Sequence, residues 1–340
     1  MTVESRRCTT QLEDPVNCLR RAYTEAAWVY STKESRLVLE GRDGLDFLHR
    51  ISTNSLLNQP VHVLTATALT TEKGRIIDAL RVVQYGSGHL LLGSADAEAE
   101  VLQWMEKYII ADDVAVRSVT GETLLCALVG PASMETAARL TGNPLTGDAA
   151  WPCTVRGIPA LAIPDHTTPL ERVFFIGSSK DVMAWREWTD SSGLCTLDPE
   201  EWDTLRIFFG LPAAPGEIST RFTPYDVGLQ GAVSETKGCY IGQEVLARLV
   251  TYQKIRRTLV GFVTTVASPP AAGEALFTAG EEAGAITSIS SLRLQGRVFG
   301  LAVVRRAAAV AGQELSTPSG TLVTISPLPM AFPAEGTSHQ

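Results

Sequence analysis

The 340-residue chain is predicted to be an α+β protein, with two duplicated lobes built on antiparallel sheets and a small C-terminal β-barrel. Three observations predict it. A strand–glycine–helix phrase occurs twice. A second phrase, strand–Gly–Ser–helix, also occurs twice, each time downstream of the first. Past residue 256 the texture changes to short β-rich runs cut by glycine and proline.

The opening residues, "MTVESRRCTTQLEDPVNC", are polar and carry Glu4, Glu13 and Asp14. They read as neither a signal peptide nor an acid-poor transit sequence. Residues 1–30 are expected to be a loosely held tail, like the last residues, "MAFPAEGTSHQ". Residues 31–256 are expected to hold both lobes, about 31–115 and 116–256, and 257–330 the barrel.

The first lobe opens with "SRLVLEGRDGLDFLHRIST": a strand, then Gly41, then an amphipathic helix with Asp43 as N-cap. "ATALTTEKGRIIDALRVVQYG" reads as a hairpin turning at Lys73-Gly74. "GHLLLGSADAEAEVLQWMEKY" closes the unit as strand, Gly93, Ser94, helix. The second lobe repeats the scheme with "LLCALVGPASMETAARLTG", where Pro131 follows Gly130, and with "RVFFIGSSKDVMAWREW", where Gly177 and Ser178 precede the helix. A further helix, "LDPEEWDTLRIFFG", carries Asp198 as N-cap, Pro199 at its first position, Glu201 to complete a capping box, and Gly210 at its end. Residues 211–236, rich in proline, glycine and threonine, form a long ordered loop. The barrel strands are expected at "TLVGFVTTV", "EALFT", "AGAITSIS", "VFGLAVVRR" and "GTLVTISPL".

Composition narrows the function. Apolar residues make up 45% and charged residues 19%, as in a globular protein. No apolar run approaches the roughly 20 residues that span a bilayer. A net charge of −8 argues against a general nucleic-acid coat, although Lys254, Arg256 and Arg257 make a local basic patch. The six cysteines, Cys8, Cys18, Cys126, Cys153, Cys195 and Cys239, form no CxxC pair, and no histidine lies near one at ligand spacing. No protein-held metal site is expected, and a reducing compartment, the cytoplasm, fits best.

One segment stands apart: "ETKGCYIGQEVLARLV". Gly238 and Gly242 bracket Cys239, Tyr240 and Ile241. After Gly242 the pattern is helical, so Cys239 lies just ahead of a helix N-terminus, two residues after Lys237. Free amides, the helix dipole and a lysine all favour a thiolate, the nucleophilic and metal-binding form. Gln243 and Glu244 open the helix, and Arg248 follows one turn on. Taken alone, these features leave two readings open. Cys239 is a working thiol, or it is a small filler in a loop that the glycines shape.

"KGCYIGQE" resembles the signature of the YgfZ-type proteins, relatives of the glycine-cleavage aminomethyltransferase. The resemblance extends to "LEGRDGLDFLHRISTNSL", "TTEKGRIIDALRV", "LRIFFGLPAAPGEI", "RRTLVGF" and "GRVFGLAVVRR", about residues 35–330. It implies three lobes around a central hole that holds tetrahydrofolate or a derivative. It also implies a role in assembly or repair of iron–sulfur clusters in client enzymes such as tRNA-modifying methylthiotransferases. On this resemblance Cys239 and Lys237 are the catalytic candidates, with Gly238, Tyr240, Gly242, Gln243, Glu244 and Arg248 as the motif. Asn54, Asp78, Arg206 and Arg257 are the cofactor-binding candidates, and a transient iron–sulfur cluster is a further possible guest.

The resemblance implies iron–sulfur client proteins and a folate-like molecule as partners, without direct nucleic-acid or membrane binding, for a monomer. The form of "ARLVTY" resembles a cyanobacterial or plastid branch, which makes the plastid the alternative location. Two departures bear on chemistry. Aminomethyltransferases have paired aspartates after the hairpin turn, whereas this chain has Asp78-Ala79. Folate-binding relatives often have a glutamate where this chain has Phe208, and an apolar ring cannot make a charge-assisted bond to a pterin. The readings that compete with an iron–sulfur accessory factor are a one-carbon transferase and a scaffold without chemistry.

Overall fold

The computed structural model describes residues 15–30, 33–143 and 147–333. Cys8, His339 and the outer parts of both expected tails lie outside the described residues. Residues 15–30 do not form the expected loose tail. They make helix α1 (Pro15–Thr24) and strand β1 (Ala27–Tyr30). Leu19, Ala22, Ala27 and Trp28 there are fully buried. At the other end Met330 is buried too, and its carbonyl accepts the Tyr23 hydroxyl. The polar opening hid the apolar side of α1, which the core needs.

The first lobe is β2 (Glu34–Glu40), α2 (Gly44–Ile51), β3 (Thr65–Thr70), β4 (Ile76–Tyr85), β5 (Gly88–Ala95), α3 (Glu98–Glu106) and β6 (Ala115–Ser118). Its five-stranded sheet runs β3-β4-β5-β2-β6. The second lobe is β7 (Thr123–Val129), α4 (Ser133–Thr141), β8 (Trp151–Val155), β9 (Ile158–Asp165), β10 (Arg172–Ser178), α5 (Val182–Ser191) and β11 (Thr196–Leu197). Its six-stranded sheet runs β8-β9-β10-β7-β1-β11. The orders match strand for strand, except that β1 is inserted between β7 and β11. The strands "LVLE" and "LCALV" hold equivalent places.

The glycines between strand and helix explain the repeat. Gly41 has φ +104° and Gly130 has φ +116°. A Cβ on Gly41 would sit 2.1 Å from the Asp113 carbonyl oxygen, and one on Gly130 would sit 2.4 Å from that of Ala22. Both positions therefore combine a backbone angle and a close approach that only glycine accepts. Asp43 is at the N-cap of α2, but its carboxylate does not cap the helix; it accepts the Asp113 amide instead.

The two sheets pack face to face. Val83, Leu90 and Leu92 of the first sheet share one core with Leu125, Ile163, Phe174 and Ile176 of the second. The helices lie outside: α2 and α3 cover the first sheet, α4 and α5 the second. This is the alternation expected of antiparallel sheets, except that the face away from the helices is covered by the other sheet.

Helix α6 (Pro199–Phe209) has the capping box of Asp198 and Glu201, and Gly210 ends it in the left-handed conformation. Six strands close the barrel: β12 (Arg257–Thr264), β13 (Ala275–Thr278), β14 (Glu281–Ile289), β15 (Val298–Arg305), β16 (Glu314–Ser316) and β17 (Leu322–Ser326). Phe299 and Leu301 of β15 join α6 in the inter-sheet core. Among the described residues no helix is long and apolar enough to cross a membrane.

Candidate functional site

The KGCYIG segment leads into α7 (Gln243–Thr251) and lies across two features of the first lobe. One is the C-terminal end of α2. The Lys237 ammonium donates to the carbonyls of His49, Ser52 (2.7 Å) and Asn54 (2.9 Å). His49 and Ser52 are helix-end acceptors that the helix itself leaves without partners, at the negative end of its dipole, and Asn54 follows two residues past the cap. The Tyr240 ring lies 5.1 Å from the same Nζ. Burial lowers the Lys237 pKa to about 8, and it lowers that of His49, with Lys237 adding to the effect.

The second support is the β3–β4 hairpin turn. Gly242, at φ +84°, would place a Cβ 2.6 Å from the Thr71 carbonyl oxygen and 3.0 Å from Gly74 Cα. The Thr70 hydroxyl donates to the Ile241 carbonyl at 2.7 Å. Gly74, at φ +66°, meets Leu246 of α7. The Lys-Gly turn and the Lys-Gly-Cys-Tyr loop are thus two halves of one contact. Tyr240 is buried with Val233, Leu246, Tyr225 and Leu249, which raises its pKa to about 12, chiefly through burial.

Cys239 is exposed at the crest of this loop, whereas Cys18 and Cys126 are buried and Cys153 and Cys195 partly so. Gly238 is open: a Cβ there would have nothing within 4 Å. The two catalytic candidates therefore play different parts. Cys239 is presented to solvent. Lys237 spends its donors on carbonyls and anchors the loop. The Gln243 amide braces the loop at the carbonyls of Lys237 and Gly238, both at 3.4 Å. Glu244 and Arg248 form an exposed pair with each other, an arrangement worth little. Among the described residues no three His, Cys, Asp or Glu side chains converge as a metal site.

The four cofactor candidates are spread among separate hydrogen-bond networks. Asn54 brackets the loop: its side-chain amide donates to the carbonyls of Ala66 and Gly231 and accepts from Ser55. Asp78 is fully buried, and its carboxylate accepts the Ala79 amide and both the amide and hydroxyl of Ser94. Burial raises its pKa against those bonds. Arg206 is engaged on all three nitrogens, by Asp203, by Leu211 and Glu217, and by Ser288. Arg257 bonds Asp226 at 3.0 Å and packs over the Phe222 ring.

Phe208 is fully buried against Tyr23, Phe299 and Phe332. Ala79 packs beside Ile76, Ile218, Phe222 and Val303. Asp78, Arg206 and Phe208 thus all have partners within the fold.

Sequence reasoning missed a buried charge network between the lobes. Asp165 of β9 takes Arg81 of β4 at 2.9 Å and Arg172 of β10 at 2.5 Å. Burial pushes the Asp165 pKa up, but the two guanidinium groups and Thr167 outweigh it and hold the carboxyl below its ordinary range. Glu34 lies near, its pKa raised by burial. No local pattern announces this network, because its members meet only when the sheets stack.

A family model described as the GCVT N-terminal domain matches residues 20–164. A putative chloroplastic transferase of Arabidopsis thaliana is 28% identical over 305 residues, covering 86% of this chain and 68% of that protein. The aminomethyltransferase of Streptomyces coelicolor is 30% identical over 259 residues, covering 73% of this chain and 70% of that one. That of Geobacillus kaustophilus is 30% identical over 292 residues, covering 82% and 79%. The solved structure of aminomethyltransferase T of the glycine cleavage system from Bartonella henselae superposes with a TM-score of 0.75 at 20% identity, covering 92% of this chain and 88% of that one. The last likeness concerns the fold.

Proposed function

Because this chain belongs to the aminomethyltransferase family, we propose that it is a divergent member whose working element is the Cys239 loop: an accessory factor for assembly or repair of iron–sulfur clusters in client enzymes. The observation that carries the reading is the exposed thiol on a loop fixed at both ends, by Lys237 on α2 and by Gly242 on the hairpin. A loop that served only as filler would not need to present its cysteine to solvent while burying the adjacent Tyr240. A presented thiol suits transient contact with a partner's metal or sulfur, since access and thiolate character govern such chemistry.

Aminomethyl transfer is the weaker reading. Acid–base work on an amine needs a carboxylate within reach. Ala79 has none, and Asp78 is enclosed by Ser94. No step of this proposal depends on a folate. The partners are iron–sulfur client proteins, and the compartment is the cytoplasm or, with the Arabidopsis relative named chloroplastic, the plastid. The test is complementation of a strain lacking its family protein, scored by the activity of a radical methylthiotransferase. Wild type should restore it and Cys239→Ala should not. Equal rescue by both would refute the reading.

A further inference from the structure

Two Arg-Arg pairs lie far apart in sequence, Arg256-Arg257 and Arg305-Arg306. The antiparallel pairing of β12 with β15 brings them together. Arg257 stands opposite Arg305 in register, and the Arg306 amide donates to the Arg256 carbonyl at 2.8 Å. Like charges directly opposite on neighbouring strands destabilise a sheet. The fold answers with one acid for each of the facing pair, Asp226 for Arg257 and Glu281 for Arg305. Arg256 and Arg306 are exposed, and so is Lys254, which leans over the Tyr252 ring at 5.3 Å. Tyr252 is itself 64% exposed. Beside them runs a groove of about 230 Å³, lined by Phe222, Arg257, Glu282, Gly284, Ala285 and Arg305. Four arginines are thus gathered at one place in a chain whose net charge is −8.

We propose that Lys254, Arg256, Arg257, Arg305 and Arg306 form a docking surface for an acidic segment of a partner protein. The surface lies at the far end of α7 from Cys239. That helix is 9 residues long, on the order of 13 Å, and the two flank it. A client held by its acidic segment would thus have its own reactive part within reach of the thiol. The occupant is a polypeptide rather than a nucleic acid for two reasons. The patch is short and set in an acidic chain, whereas a polynucleotide tracks a long basic stripe. The groove is also of side-chain size. The choice of a client as the docked protein rests on the accessory-factor reading, but the binding chemistry does not.

The experiment uses the full chain and the double variant R256E/R306E. Neither residue touches the Cys239 loop, and both are exposed, so the variant should fold. The probes are a labelled Asp/Glu-rich peptide of about ten residues and a single-stranded oligonucleotide of equal charge, followed by fluorescence anisotropy. The peptide should bind wild type, weaken as salt rises from about 50 to about 300 mM, and bind the variant about tenfold less tightly. Cys239 alkylation should be the same in both proteins. Absent peptide binding, binding that the variant leaves unchanged, or an oligonucleotide that binds as tightly as the peptide would each overturn the proposal. Complementation separates this proposal from the functional reading. Loss of rescue by Cys239→Ala with full rescue by R256E/R306E refutes the docking surface alone. The reverse pattern refutes the role of Cys239 alone.

Discussion

Gly238 and Gly242 flank the same cysteine, yet their replacement by alanine should have opposite consequences. At Gly242 the backbone sits at φ +84°, where an L-residue pays about 1–2 kcal/mol. The new Cβ would stand 2.6 Å from the Thr71 carbonyl oxygen, 2.8 Å from Thr70 Oγ1 and 3.0 Å from Gly74 Cα. Two of these are backbone atoms that cannot rotate away, so the hairpin must retreat, at about 1–3 kcal/mol. Retreat also breaks the Thr70–Ile241 hydrogen bond, worth about 1 kcal/mol. Gly242→Ala should therefore cost about 4 kcal/mol. At Gly238 φ is not in the left-handed region, and a Cβ would meet nothing within 4 Å. Gly238→Ala should change stability by no more than about 0.5 kcal/mol and can gain from a stiffer unfolded chain. Urea unfolding followed by tryptophan fluorescence measures both, and amide exchange across 237–246 locates the damage. If the two variants fall within about 1 kcal/mol of each other, the two-point seat of the loop is wrong.

Three further outcomes follow from the same geometry. Cys239→Ser should keep wild-type stability within about 0.5 kcal/mol, because the side chain is exposed; in the wild type, mass spectrometry after iodoacetamide near neutral pH should find Cys239 labelled well before Cys126, whose pKa burial raises, and Cys153, whose pKa is raised to about 11. Lys237→Met should leave the carbonyls of His49, Ser52 and Asn54 without their shared donor, lower stability by about 2 kcal/mol and speed amide exchange in the Cys239 loop; unchanged exchange would remove Lys237 as its anchor. Asp165→Asn should cost about 3–5 kcal/mol near neutral pH. The folded state holds the Asp165 carboxyl low, so its contribution is present above the unfolded pKa of about 3.9 and is lost as pH falls toward the folded value. The gap between wild type and variant, read from thermal midpoints, should narrow in acid; a gap that widens there contradicts the network.

What the sequence disclosed was whatever a local rule encodes. The Asp198–Glu201 box, Gly210, the Lys73-Gly74 turn and the twin phrases around Gly41 and Gly130 each answer to a steric or hydrogen-bonding need within a few residues. The needs met across the fold stayed hidden. Lys237 satisfies carbonyls nearly two hundred positions earlier, so its charge read as a partner for the nearby thiol. Asp43 looked like a cap, but its carboxylate serves Asp113. Phe208 showed that a pterin contact was missing, but not that Tyr23, Phe299 and Phe332 close over it. Arg305 and Arg306 looked unrelated to Arg256 and Arg257 until the barrel register joined them.

The insertion of β1 between β7 and β11 has a consequence for the chain as a heritable and divisible object. Trp28 pairs with Leu128 on one side and with Thr196 on the other. The second sheet is therefore finished by a segment that precedes the whole first lobe, and the first lobe is an excursion made between two adjacent strands of the second. A tandem duplication left as made would give two halves that could be cut apart at the joint between them. Here such a cut leaves the strand next to one sheet edge on the wrong fragment. The second half lacks its own interior strand, and the first carries an orphan strand with the large apolar face of Trp28. The two lobes keep the likeness of separate modules, but the second sheet is complete only with a strand from ahead of the first.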